Sequence, residues 1–356
     1  MNNRSFLFEG KIRDFEKVIL EYQLEIARFS SLSETMANIM AYLSLYQRLT
    51  QIQLKYLTKY SKSTISTSLV ALIKIDYVRK EKIKNSREYE YYIAPPSQMS
   101  IDFVLGSTEN EIVFLKRKIK KLNNDNLEGM KGYTLILERL KHILDVFECY
   151  QKILETLKNP KAKVNLNLSE EYIKTLSLED FNLIHTKFDP EIKQIEDDLL
   201  EFFMYESAYS TLSEFTLMIY TLFLTRKVLT QERIRELTGL SLGKVSQVVN
   251  ALIKSGLIKK VDKDLHQDII PEEIKRQTIY SMLSIKEAFF TSGIISLEEM
   301  LKWEDKFQQI KSELTNNKKS LEKLRGYTQV LNYIDKYLDI IPIYKKATSI
   351  FSNYLK

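Results

Sequence analysis

Lys62, Ser63, Thr64 and Thr67 interrupt a stretch whose Ile65, Leu69, Leu72 and Ile73 recur at helical spacing. Apolar residues at that period pack inward, which leaves the ammonium and hydroxyl groups on the outer face. Short side chains of these types suit hydrogen bonds to base edges and phosphate oxygens. A little further on, two β-favouring runs, 77–84 and 88–93, flank the turn Asn85-Ser86-Arg87. Such a pair reads as a hairpin, and Lys82, Lys84 and Arg87 then crowd its tip, placed for a sugar–phosphate backbone or a minor groove.

The parts for catalysis are missing. His142, His185 and His266 lie far apart and without metal-ligand spacing, and no GxGxxG or GxxxxGK[ST] segment is present. Cys149, the single cysteine, falls on the apolar side of a predicted helix and reads as a small core residue. The carboxylates are plentiful, but none stands out as a buried pair. The expectation is a protein that is not an enzyme and needs neither cofactor nor metal.

The elements that must hold these residues occur twice. Sliding the chain by 180 positions lays Leu49-Thr50-Gln51 on Leu229-Thr230-Gln231 and Leu57-Thr58 on Leu237-Thr238. Ser61 and Ser66 fall on Ser241 and Ser246, and Ala71-Leu72-Ile73-Lys74 on Ala251-Leu252-Ile253-Lys254. At a shift of 194, Gly132-Tyr133-Thr134 meets Gly326-Tyr327-Thr328. Self-similarity of this kind marks a duplicated unit. Each copy predicts a leading helix (11–29, 191–209), a second (33–47, 213–227), a short one (50–59, 230–239) and a fourth (62–75, 242–255). Thr50 and Thr230 should cap the third helix, Ser61 and Ser241 the fourth, each hydroxyl accepting an otherwise unpaired N–H. Two helices joined by a tight turn and followed by a strand pair describe a winged helix-turn-helix.

The copies differ where a nucleic acid would lie. The helix face of the second carries Leu242, Gly243, Lys244, Gln247 and Val248, less polar and with one cation. Lys259 and Lys260 lead into a wing read as short, with acids at Asp262, Asp264 and Asp268. Residues 48–93 hold ten cations and four anions, residues 228–271 seven and five, while the whole chain is +6. The first copy is expected to be the stronger reader. The second would add Lys244, Gln247 and phosphate contacts from Lys259 and Lys260.

The phrase LTQ–x5–LT–x2–S–x4–S at 49–66, the helix through Ala71-Leu72-Ile73 and the wing ending in Tyr91-Tyr92 resemble the MarR superfamily, in particular its GbsR-like branch. The resemblance covers 11–157 and again 191–350. It implies transcriptional repressors or activators that act as homodimers, with the helix after the turn reading DNA. Two copies in one chain and an acidic second wing depart from that pattern.

Behind each wing, Leu137, Leu140, Leu144, Phe147, Gln151 and Leu154 repeat in register as Leu331, Ile334, Leu338, Ile341, Lys345 and Thr348. Seams of this spacing suit helix–helix packing, and the two are expected to pack on each other in place of a homodimer interface. Pro342 should kink or break its helix, and charged helices are expected near 108–123 and 296–316. Gly132 and Gly326 read as close-packing positions, and the basic run 116–121 as a solvated helix face.

The expected fold is mainly α with two small β-wings: tandem winged helix-turn-helix modules with helical dimerisation-like segments, pseudo-two-fold. The boundaries are 1–157, a linker over 158–190 with a helix near 170–176, and 191–356. No apolar stretch approaches the length of a membrane span, and the lone cysteine fits a reducing, cytoplasmic setting. The expected partner is double-stranded DNA, with any small-molecule effector unknown and no membrane, bound by a monomer with pseudo-dimeric halves or a homodimer. The alternative is a tandem winged-helix adaptor that binds protein and not DNA.

Overall fold

The computed structural model describes residues 6–27, 33–74, 77–94, 101–124, 126–158, 176–205, 213–282 and 284–355. In the first half, α1 (Gly10–Ala27) buries Ile12, Phe15, Ile19 and Tyr22, spaced by three and four residues. Ser33 caps α2 (Glu34–Tyr46) by accepting the Met36 N–H. After β1 (Leu49–Thr50), Thr50 Oγ1 accepts the Gln53 N–H at 3.3 Å while Gln53 Oε1 accepts the Thr50 N–H at 2.8 Å. This reciprocal cap satisfies two otherwise unpaired donors and starts α3 (Gln51–Thr58). Lys59 turns the chain at φ 62°, and Ser61 Oγ accepts the Thr64 N–H at 3.0 Å to begin α4 (Lys62–Lys74). The hairpin of β2 (Val78–Lys82) and β3 (Tyr89–Ile93) pairs Val78 with Ile93 and Lys82 with Tyr89, and β1 adds to the other side of β3. Ile39, Leu43, Leu54, Ile65, Leu69, Leu72, Val78 and Tyr91 form the core of this winged helix. Two long helices follow, α5 (Ile101–Asn124) and α6 (Tyr133–Lys158).

The second half opens with α7 (Leu178–Asn182), α8 (Pro190–Tyr205) and α9 (Glu214–Arg226). Then come β4 (Val228–Thr230), α10 (Gln231–Thr238), α11 (Leu242–Lys254), β5 (Lys259–Lys260), α12 (Glu272–Lys275) and β6 (Ile279–Ser281). The chain ends with α13 (Ile285–Leu301), α14 (Glu304–Asn316), α15 (Lys318–Leu321) and α16 (Tyr327–Leu355). Thr230 and Ser241 cap α10 and α11 as Thr50 and Ser61 cap α3 and α4. The Gln51 amide donates to the Tyr91 hydroxyl at 3.0 Å, and the Gln231 amide to the Tyr280 hydroxyl at 2.8 Å. The chain is therefore mainly helical, with two small antiparallel sheets of order β1-β3-β2 and β4-β6-β5, as two winged-helix copies require.

The second wing is not the short hairpin expected. Its strands are short, but the connection from 261 to 278 carries a 3-10 turn at Asp264–His266 and all of α12. Lys80 faces Tyr91 as Lys260 faces Tyr280, so the offset between the copies grows from 180 to 189 across the wing. Much of the added length is folded back: Val261, Ile270, Ile274 and Ile279 close a small core with Leu176, Phe181 and Ile184 of the α7 region. The helix expected near 170–176 falls almost wholly outside the described residues. Pro342 does not interrupt α16, since one missing N–H removes a single bond from a long ladder. The helix expected over 296–316 is divided at Lys302-Trp303 between α13 and α14.

By internal contact the chain divides into two units, and each draws on both halves of the sequence. One contains residues 1–99 and 296–346, the other 100–295 and 347–356. In the first unit, Ile12, Phe15, Ile19 and Tyr22 of α1 pack in one cluster with Tyr327, Val330, Ile334, Tyr337 and Ile341 of α16 and with Phe307 and Ile310 of α14. In the second, the matching Ile192, Ile195, Leu199 and Phe202 of α8 join Tyr133, Ile136, Leu140, Ile143 and Phe147 of α6. Each seam thus packs against the leading helix of the other half. Burying a large apolar side chain is worth about 1.5–3 kcal/mol, so these rows outweigh any surface contact in holding each unit. The backbone repeats the exchange: the Glu9 N–H donates to Arg325 O at 3.1 Å and the Asp189 N–H to Lys131 O at 3.2 Å.

Candidate nucleic-acid interface

In the first winged helix, burial of Ile65, Leu69 and Leu72 fixes the rotation of α4. Lys62, Ser63, Thr64 and Thr67 consequently emerge exposed along its opening turns. Ser61 Oγ lies 2.7 Å from Thr64 Oγ1, which ties that hydroxyl to the cap. Lys62, Ser63 and Thr67 have no hydrogen bond or ion pair among the described residues, so their donors and acceptors are available. Val248, expected on the outer face of α11, is buried, and so is Ser68 at the matching position of α4, because each lies beside a residue that enters the core, Val249 and Leu69.

The wing is built to hold its tip. Arg48 Nη1 sits 2.6 Å from Glu81 Oε2, and the guanidinium lies 4.5 Å from the Tyr92 ring centroid. Lys80 Nζ lies 5.2 Å from the Tyr89 centroid. Beyond these contacts the Ile83 N–H donates to Glu88 O and the Ser86 N–H to Ile83 O, while Asn85 takes φ 61°. That closed turn leaves Lys82, Lys84 and Arg87 exposed and without a carboxylate partner among the described residues. Arg48 and Lys80 were not singled out from the sequence. Their aromatic and acidic neighbours were visible there, but not the strand register that brings them together.

The second winged helix presents a different set. Lys244 is half-buried, with Nζ 4.8 Å from the Phe215 ring centroid and donating to Gln247 Oε1 at 3.2 Å. Gln247 itself is exposed. Lys259 Nζ pairs with Glu287 Oε1 at 2.5 Å, whereas Lys260 is exposed and has no ion pair among the described residues. In the wing connection Lys263 donates to Lys275 O at 2.7 Å, and Lys275 pairs with Glu272. Of the candidates here, only Lys260 is both exposed and without a side-chain partner among the described residues.

Beneath the two winged helices the halves have also diverged. Glu196 is buried and accepts from Arg226 Nε and Nη2, both at 2.9 Å, and from Thr225 Oγ1. Burial alone would raise its carboxyl, but the Arg226 hydrogen bonds and charge outweigh that and hold it below the ordinary value. At the matching positions Glu16 faces Tyr46, whose hydroxyl donates at 2.9 Å. With no buried cation beside it, burial wins and the Glu16 carboxyl is pushed up. The aromatic ring is conserved in role: Phe8 stacks on Tyr46 at 4.2 Å, and the Arg226 guanidinium lies 3.9 Å from the Phe188 centroid.

Among the described residues no helix is long and apolar enough to cross a membrane. No protein-family model and no curated protein matches the chain. Among solved structures, one described as "Crystal Structure of a transcriptional regulator" aligns at 14% identity over 46% of this chain and 99% of that one, with a TM-score of 0.33.

Proposed function

We propose that this protein binds double-stranded DNA as a transcriptional regulator, with the first winged helix as the main reader and the two sequence halves acting as an intramolecular pseudo-dimer. The observation that carries this reading is the free polar surface of that copy. Lys62, Ser63 and Thr67 on α4 and Lys82, Lys84 and Arg87 on the wing are all exposed and have no side-chain partner among the described residues. A helix of this kind enters a major groove, where hydroxyl and amine groups meet base edges, and the wing cations neutralise phosphates alongside. The motif resemblance to the GbsR-like branch of the MarR superfamily points the same way. The domain reading follows: modules at 1–157 and 191–356, exchanging helical segments so that one chain does what two would do in a homodimer.

Anisotropy of a labelled random-sequence duplex, titrated across a salt series, tests it. Neutralising about five phosphates gives log K against log salt a slope of roughly −4 to −5. Absence of duplex binding at low salt, or binding unchanged when Lys84 and Arg87 are both replaced by Glu, overturns the assignment.

A further inference from the structure

The outer faces of α4 and α11 carry different chemistry. Burial of Val245, Val248, Val249 and Leu252 turns Gly243, Gln247 and Asn250 outward along α11, and all three are exposed. Their spacing of four and three residues makes them neighbours on one face. Burial of Ile65, Ser68, Leu69 and Leu72 does the same on α4 for Ser63, Thr67 and Val70 at the matching positions. The first copy thus presents two hydroxyls and a valine that is 65% exposed. The second presents two carboxamides and a bare first turn.

These groups differ in what they can tell apart. In a major groove a hydroxyl donates or accepts, so it meets base pairs of any kind and discriminates little. A carboxamide holds one donor and one acceptor at a fixed spacing, which matches N7 and the N6 amine of adenine. Gln247 is also oriented for that task. Lys244 Nζ donates to its Oε1 at 3.2 Å, and the same ammonium lies 4.8 Å from the Phe215 ring centroid. A cation at Oε1 fixes which end of the amide accepts, and it leaves Nε2 and a second lone pair of Oε1 free. Asn250, one turn further on, has no side-chain partner among the described residues. A Cβ on Gly243 would meet nothing within 4 Å, so the opening turn leaves room for a base edge to come close.

Charge is distributed the other way. Lys62, Lys82, Lys84 and Arg87 are exposed in the first copy, whereas in the second Lys244 is half-buried and Lys259 is held by Glu287. Phosphate contacts supply affinity without sequence information, and base contacts supply the sequence.

We infer that the second winged helix sets the sequence this protein selects, with Gln247 and Asn250 each reading an adenine, while the first supplies most of the affinity through phosphates. The inference rests on the DNA reading above and divides its labour, since the copy with fewer free cations is the more discriminating one. Lys244 is a positioning residue that acts through Gln247. The preferred site is accordingly asymmetric, with its adenines in the half that meets α11.

The test is a selection from a random-sequence duplex library on the full-length protein and on Gln247→Ala, Asn250→Ala and Gln247→Glu. Both positions are exposed, and circular dichroism verifies that each variant is folded. The parent should enrich sites with at least two fixed adenines, and each alanine variant should lose the preference at one of them. Gln247→Glu should exchange its adenine for cytosine, whose N4 amine a carboxylate accepts. Anisotropy should show each alanine variant about tenfold weaker on the selected duplex and within twofold of the parent on a random one. Lys84→Glu with Arg87→Glu should weaken both duplexes alike and keep the selected site. Random-duplex binding with an unchanged selected site in both alanine variants, or equal losses on the two duplexes, overturns this inference and leaves the DNA reading standing. Absence of binding to any duplex at low salt overturns both.

Discussion

The ring of Phe8 lies over Gly326 so closely that a Cβ on the glycine would fall 2.4 Å from it. Phe188 covers Gly132 in the same way, at 2.3 Å, and the two glycines hold φ of +96° and +95°. Each pair joins the lead-in of one half to the helical hairpin of the other. A side chain at either glycine meets both a backbone conformation that L residues avoid and an aromatic ring with no room to retreat.

Gly326→Ala and Gly132→Ala should each destabilise the protein by about 2–4 kcal/mol, the sum of backbone strain and overpacking. Urea denaturation followed by circular dichroism measures the loss. Phe8→Leu placed with Gly326→Ala should recover part of it, and a strictly additive double variant would mean that ring and glycine do not interact.

The two buried glutamates predict opposite responses to pH. Glu196 titrates below its ordinary value, so it stabilises the fold above about pH 4.5 and loses that contribution as pH falls through its folded value. Glu16 titrates above its ordinary value. Its contribution is full below about pH 4.5 and is lost as pH rises through the raised value. Glu16→Gln should therefore gain stability relative to the parent as pH rises from 4 to 7, while Glu196→Gln should lose it. Arg226→Leu leaves a buried carboxylate unpaired and should cost about 3–5 kcal/mol at pH 7. Denaturation midpoints across pH 4–8 give all three, and parallel profiles for the two glutamine variants would contradict the assignment.

Neutralising single cations should sort them by role. Lys82→Gln, Lys84→Gln and Arg87→Gln should each make the salt slope shallower by about 0.9, one phosphate contact apiece. Lys259→Gln should leave it unchanged, because Glu287 already holds that ammonium. A slope that responds equally to all four would mean that charge acts diffusely, without defined contacts.

The turn before each outer helix offers a smaller test. Gly239 and Lys59 occupy the same left-handed conformation, φ 70° and 62°. Gly239→Ala should cost about 1 kcal/mol, whereas Lys59→Gly should be neutral or stabilising. Thermal unfolding distinguishes the pair. A stabilising Gly239→Ala would rule out strain as the basis of the comparison.

Local features were legible in the sequence because local rules govern them. Thr50, Thr230, Ser61 and Ser241 cap the helices assigned to them, and Ile65, Leu69 and Leu72 face inward as their spacing requires. The exchange of hairpins was not legible, because the two halves share one apolar pattern. Leu140 and Ile334 carry the same pattern, as do Ile195 and Phe15, so a seam has two equivalent partners and periodicity cannot choose between them. The second wing was misread for a different reason. Ile270, Ile274 and Ile279 find their core in Phe181 and Ile184, nearly a hundred positions upstream, and nothing in the polar run 262–268 announces that pairing.

The exchange of segments has a consequence for inheritance. In a homodimer one gene specifies both reading heads, so every substitution appears on both and symmetry is enforced. Here each unit draws on both halves of one chain, which fixes their ratio at one to one. Yet each outer surface is encoded separately. Selection can therefore rewrite one face residue by residue while the other keeps its task, and the shared scaffold prevents the two from parting.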